Sequence, residues 1–196
     1  MRALVIHCHP IEGSLTSQAR DRVVAALHRS GHEVRVTDLY GEGFRPELSE
    51  WERVHHLSPL DGKPDIARHV DDLRWCDALV LVYPTWWSGQ PAMLKGWIDR
   101  VWVLGAAYDL PVGSNRIRAL LTNVRRLVVV TSHGSSRTIN MLQGRSGRRL
   151  VSRSLRVLCN RFARLTWIPL YCVDRCDAAD VARYFRRIDR RIGRLR

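Results

Sequence analysis

The sequence predicts a doubly wound α/β domain, with a five-stranded parallel sheet of order 2-1-3-4-5 and helices on both faces. Three observations predict it. Short apolar runs at 3–6, 78–83 and 127–131 have the length and composition of strands buried on both faces. Segments of helical period alternate with the strands. The apolar runs lead into loops of small and polar residues, which is where an open α/β sheet gathers its ligands. The 196 residues suit one such domain spanning 1–196, with a balance of 45% hydrophobic and 26% charged residues ordinary for a globular chain.

The first strand covers residues 2–8, and a helix over 15–29 turns Leu15, Ala19, Val23, Ala26 and Leu27 to one face. Gly31 suits the position just past its end. The alternating EVRVTDL at 33–39 is the second strand. Residues 40–64 show no period and contain six Gly or Pro, with a short helix starting behind Ser49 as cap. A helix over 65–75 then feeds the central strand, 78–83. Residues 113–122 read as irregular with a short helical turn. The fourth strand is 127–131. Residues 150–164 read as an amphipathic helix with Val151, Leu155, Leu158 and Phe162 inward and Arg153, Arg156, Arg161 and Arg164 outward. The fifth strand covers 165–173. Asp177 caps the last helix, whose inward stripe is Val181, Phe185, Ile188, Ile192 and Leu195.

Three loops follow strands one, three and four, and this topology brings them to one edge of the sheet. In the first, residues 9–16, glycine and hydroxyl side chains sit at a helix start, a reasonable anion cradle. Ser14 as a plain N-cap is the lesser alternative. The loop is neither a Walker A nor a G-x-G-x-x-G turn. In the second, Pro84 closes the apolar run, Thr85, Trp86, Trp87 and Ser88 form the loop, and Pro91 suits the first turn of a helix carrying Leu94, Trp97, Ile98 and Val101. The paired tryptophans offer a wall for a planar ring, or pack as core. In the third, Thr131, Ser132, His133 and Gly134 make a polar wall. His133 alone reads equally as an exposed loop histidine.

The stretch PTWWSGQPAMLKGWIDRV resembles the signature of the flavodoxin-like NAD(P)H:quinone oxidoreductases, in which P-x-x-W-x-x-x-P-A-x-L-K-G-W recurs. The pattern H-x-P-x-x-x-S-L-T is similar to that family's first loop, and FRPELSEWE and VLGAAYDLP resemble its crossing segment and its loop near cofactor and dimer partner. The resemblance covers nearly the whole chain. It implies FAD or FMN held by His9, Ser14, Leu15 and Thr16 at the phosphate and by 84–88 and 131–134 at the ring. The 133–134 backbone would then donate to the pyrimidine edge. NAD(P)H is the implied co-substrate, and quinones or similar acceptors take the electrons. No catalytic side chain is assigned, because the flavin carries the chemistry. Aligning Leu142-Gln143-Gly144 puts the proton-relay Tyr and His of some members at Asn140 and Ser146, so that relay is not carried over. Trp87, Asn140 and the cluster Arg145, Arg148 and Arg149 are the substrate-side candidates, with the arginines expected on nucleotide phosphates. A homodimer is implied as well. Some members are flavin-binding accessory subunits of membrane cation-efflux systems, which is the alternative reading.

The net charge is +13, but residues 1–115 hold 12 Lys+Arg against 15 Asp+Glu, whereas 116–196 hold 20 Arg against 4 Asp. Most of these arginines read as solvated helix faces. Nucleic acid is not expected, because no recognition motif accompanies the charge. Contact with a membrane surface is left open and not predicted. No run approaches 18 apolar residues, and the N-terminus reads as a strand, so a cytoplasmic protein is expected. Five scattered cysteines read as reduced thiols; Cys172 and Cys176, spaced C-x-x-x-C, match no strong metal pattern, and no metal is expected.

Overall fold

The computed structural model describes residues 1–57, 64–111, 113 and 116–195. The parts of the irregular stretches at 58–63, 112, 114 and 115 lie outside the described residues. The sheet consists of β1 (Arg2–His7), β2 (Glu33–Asp38), β3 (Ala78–Pro84), β6 (Arg126–Ser132) and β7 (Arg164–Leu170). Its order is β2-β1-β3-β6-β7, all neighbours parallel, which is the predicted 2-1-3-4-5. A separate two-residue antiparallel pair joins β4 (Tyr108–Asp109) to β5 (Arg118–Ala119), the latter within the stretch 113–122 read as irregular with a helical turn, of which 114 and 115 lie outside the described residues.

The central strands alternate their side chains between two cores. Ala3, Val5, Val80, Val128 and Val130 face α1 (Leu15–Arg29) and α7 (Ala178–Ile192). Leu4, Ile6, Leu79, Leu81, Leu127 and Val129 face α3 (Pro64–Trp75) and α4 (Ala92–Val101) on the other side. Both faces being covered is why these strands read as unbroken apolar runs. The predicted α4 stripe, Leu94, Trp97, Ile98 and Val101, is buried throughout. In α7 the stripe is shifted: Tyr184 is fully buried, while Val181 and Phe185 are only partly so. Asp177 caps α7 in a capping box with Asp180, and Ser49 does the same for α2 (Glu50–Val54) with Glu52.

Gly96 in α4 exists for a close approach. A Cβ there would lie 2.2 Å from the carbonyl oxygen of Pro46, so the crossing segment rests directly on the helix backbone. One turn further on, the buried guanidinium of Arg100 holds the same segment. Its Nε donates to Glu52 at 2.8 Å, its Nη1 to the Arg45 carbonyl at 2.5 Å and its Nη2 to Asp65 of α3.

The predicted helix over 150–164 is corrected. A helix begins with α6 (Ser146–Arg149), widens to a π-helical stretch over Leu150–Leu155, and tightens to a 3₁₀ turn at Arg156–Leu158. Val151 and Leu155 are buried as expected, but Phe162 is 69% exposed and Arg164 already belongs to β7. The chain leaves the helix because Asn160 turns it: its side-chain amide donates to the Thr122 carbonyl and its Oδ1 accepts from the Phe162 N–H. One further helix, α5 (Arg137–Leu142), is capped by Ser136 and was not foreseen. Among the described residues no helix is long and apolar enough to cross a membrane.

Candidate functional site

The three loops do converge at the carboxyl ends of β1, β3 and β6, beside the point where the strand order reverses between β1 and β3. Thr85 N–H donates to the Ser132 carbonyl at 2.8 Å, and the Thr85 and Thr131 hydroxyls lie 3.1 Å apart. The second and third loops are therefore bonded to each other.

The first loop ends at Gly13, which has φ +78°, a conformation glycine adopts without strain. Ser14 caps α1, its Oγ accepting from Ser17 N–H at 3.1 Å. The N–H groups of Leu15 and Thr16 donate to no protein acceptor among the described residues. These open donors at the start of a fifteen-residue helix, with the positive end of its dipole, suit a phosphate. Ser14 is thus the cap of this helix, beside the open donors. His9 is half-buried, and its Nδ1 accepts from Ile11 N–H at 3.1 Å, shaping the loop. Leu15, Thr16, Thr131 and Ser132 border a small gap between cradle and third loop.

The second loop is a tight reversal. Trp86 and Gly89 exchange both backbone hydrogen bonds, at 3.1 and 2.9 Å, with Trp87 and Ser88 at the turn. Both turn residues have positive φ, 47° and 63°, which for non-glycine residues is strained. The result is that neither tryptophan is core: Trp86 is 61% exposed and Trp87 is wholly so. The turn is anchored from the far half of the chain. Ser146 Oγ and Gly147 N–H both donate to the Ser88 carbonyl, and Ser88 Oγ donates to Gln143 Oε1 at 2.6 Å.

A cleft of about 240 Å³ lies between this turn and the third loop, lined by Thr85, Trp87, Ser88, His133, Gly134 and Gln143 among others. His133 is buried, not an exposed loop residue. Its ring stacks on Tyr171 and its Nδ1 accepts from the Asn140 amide at 3.4 Å, while Nε2 has no partner among the described residues. Burial pushes the imidazole pKa down to about 4, so the ring is neutral at pH 7. The His133 backbone N–H is already committed to the Leu170 carbonyl at 2.7 Å. It therefore cannot serve a ligand as the resemblance implies; the Gly134 and Ser135 N–H groups, without protein acceptors among the described residues, remain for that role.

Of the other candidates, Asn140 is buried behind His133 and does not line the cleft. The three arginines do not line it either. Arg148 borders a separate groove with β7 residues, and Arg149 lies near Gly144. Gln143 and Tyr171 are the residues that sequence reasoning missed. Gln143 could have been found from its place in the Leu-Gln-Gly alignment, whereas nothing marked Tyr171. All five cysteines are free, and the described residues contain no cluster able to hold a metal.

A family model described as the flavodoxin-like fold matches residues 1–192. The chain is 30% identical over 162 residues to NAD(P)H dehydrogenase [quinone] 1 of Rattus norvegicus, covering 74% of this chain and 58% of that one. It is also 30% identical over 157 residues to a ribosyldihydronicotinamide dehydrogenase-like protein of Penicillium crustosum, covering 68% and 58%. The chain thus spans somewhat over half the length of these curated relatives. Among solved structures it is similar to an NAD(P)H:quinone oxidoreductase from Methanothermobacter marburgensis, with TM-score 0.84, 27% identity and coverage of 98% and 96%.

Proposed function

The chain belongs to the flavodoxin-like family of NAD(P)H:quinone oxidoreductases, and from that premise we propose that it is a flavin-dependent enzyme passing two electrons from NAD(P)H to a quinone or a similar acceptor. The observation that carries this reading is the junction of an open helix N-terminus with an aromatic-walled cleft at the switch point of the sheet. A bound flavin would supply the hydride chemistry itself. The protein's part is then binding and electrostatics. Leu15 and Thr16 N–H, with Ser14, meet the phosphate that FMN and FAD share. Trp87 stands against a ring plane. The N–H groups of Gly134 and Ser135 favour negative charge at the ring's polar edge, an effect strengthened where water is excluded. Neutral His133 adds no positive charge there. A homodimer with the cleft at its interface is part of the proposal, and it gives the wholly exposed Trp87 a cover.

The test is the visible absorption spectrum of purified protein, before and after anaerobic NADPH. The expected result is a flavin spectrum that bleaches and recovers when a quinone is added. Protein that carries no flavin and takes up neither FMN nor FAD would overturn the proposal.

A further inference from the structure

The arginine expected on the cleft, Arg148, faces elsewhere. It joins Arg137, Arg187 and Arg191 around a groove of about 460 Å³ along the outer edge of β7, with Trp167 and Tyr171 in its lining. None of these four guanidiniums pairs with a carboxylate among the described residues. The acids of α7 are engaged away from it, Asp180 with Arg183 and Asp189 with Arg22 and Arg29. Arg187 donates from Nη2 to the Pro169 carbonyl, and its buried Nε has no partner among the described residues. Four like charges around one concavity focus a positive potential. Guanidinium forks match phosphate oxygens, and half-buried Trp and Tyr rings offer faces to a planar group.

The edge of β7 is not open to an added strand. Leu170 turns its carbonyl to His133 in the neighbouring loop, so Pro169 faces outward. There its missing N–H interrupts any new ladder, and its carbonyl is already taken by Arg187. A flat bilayer does not reach into a concavity, whereas the volume lies within the range of pockets for small ligands. We propose that this groove is a second ligand site, separate from the cleft, that takes a nucleoside phosphate, with the base against Trp167 and Tyr171 and the phosphates among Arg137, Arg148, Arg187 and Arg191.

The experiment is calorimetric titration of the full chain, with FMN at saturation if it binds, using ADP, inorganic pyrophosphate and adenosine as probes. Three variants accompany it, with Trp167→Ala as a fourth. Arg148→Ala/Arg191→Ala removes two exposed groove charges, Arg183→Ala/Arg190→Ala removes charge from the neighbouring concavity between α1 and α7, which Arg29, Arg183, Arg186 and Arg190 line, and Trp87→Ala alters the cleft; far-UV circular dichroism checks that each folds. The expected result is one ADP site, weakened at least tenfold in the groove variant and within twofold of the parent in the other two. Trp167→Ala should weaken ADP but not pyrophosphate. Absence of ADP binding, or binding that follows the Arg183/Arg190 or Trp87 variant instead, overturns the site. Pyrophosphate binding as tightly as ADP, with Trp167→Ala silent, overturns the nucleoside assignment. Flavin uptake is read separately in the absorption spectrum, so loss of the enzymatic reading and loss of this site are distinguishable.

Discussion

The imidazole of His133 lies against the phenol ring of Tyr171, with 4.8 Å between centroids and 21° between planes. One ring belongs to the cleft wall and the other to the β7 edge groove, so the stack joins the two. It also buries a titratable group. His133 titrates near 4 in the folded chain because burial disfavours its charged form, against an ordinary value of 6.5. A base whose folded value is lowered gives stability that is complete above the unfolded value and is lost as pH falls below it, since the unfolded chain then binds more protons. Between pH 7 and pH 5 this should cost about 2 kcal/mol. His69, also lowered to about 4 chiefly by burial, adds a loss in the same sense. Urea unfolding at the two pH values should show His133→Gln losing about 2 kcal/mol less than the parent on acidification. Equal losses would mean that the ring is protonated in the fold.

Trp87 is the next test, because its exposure separates binding from stability. Trp87→Ala removes no buried surface and should change unfolding free energy by less than about 0.5 kcal/mol. If the ring stacks on a flavin or quinone, affinity should fall about tenfold, the worth of an aromatic contact of roughly 1–1.5 kcal/mol. Fluorescence titration with FMN and a soluble quinone reads this directly. Ser88→Gly relieves φ 63° but deletes the Ser88 Oγ bond to Gln143, so the two effects should nearly cancel and leave a net change under about 1 kcal/mol. A Trp87→Ala variant that binds both ligands normally would remove the aromatic wall from the proposal.

The sheet was legible because strands covered on both faces leave apolar runs that no other element explains. The helix after residue 150 was legible only as a stripe. Val151 and Leu155 fit α and π geometry alike, and the exit at Asn160 depends on a bond to Thr122 that lies 38 positions away. In the site, Thr85, Ser88 and Gly134 follow from their positions at strand ends. The turn that throws both tryptophans outward was not legible, since Trp-Ser is not a pair that favours positive φ. Nor was the burial of Asn140 and His133, which requires β7 to bring Tyr171 beside the third loop. Arg148 was read as a phosphate ligand from its residue type, but the turn of α6 decides which groove it meets.

The phosphate cradle predicts a discrimination that does not depend on turnover. Ser14→Ala removes a cap and should cost about 1 kcal/mol of stability. It should also loosen the turn that holds the open N–H groups of Leu15 and Thr16. FMN and riboflavin differ only in the phosphate. The parent should therefore bind FMN well ahead of riboflavin, and Ser14→Ala should narrow that ratio several-fold while leaving riboflavin almost unchanged. A parent that binds the two equally would mean that the helix N-terminus meets no phosphate.

The contact of α4 with the crossing segment gives the sharpest structural prediction. Gly96→Ala puts a methyl group 2.2 Å from a backbone oxygen of Pro46, where no flexible side chain can yield. Such overpacking costs about 1–3 kcal/mol. Arg100→Ala removes the partner of Glu52, and the buried carboxylate, now facing only Ser49, should make the loss larger, about 3–5 kcal/mol. Arg100→Met/Glu52→Met removes both charges together and should recover a large part of that loss, because no uncompensated charge is left behind. A double-mutant cycle by urea unfolding separates the cases. If Arg100→Ala alone costs under about 1 kcal/mol, the pair behaves as a solvated surface bridge and the crossing segment is held by the Gly96 contact instead.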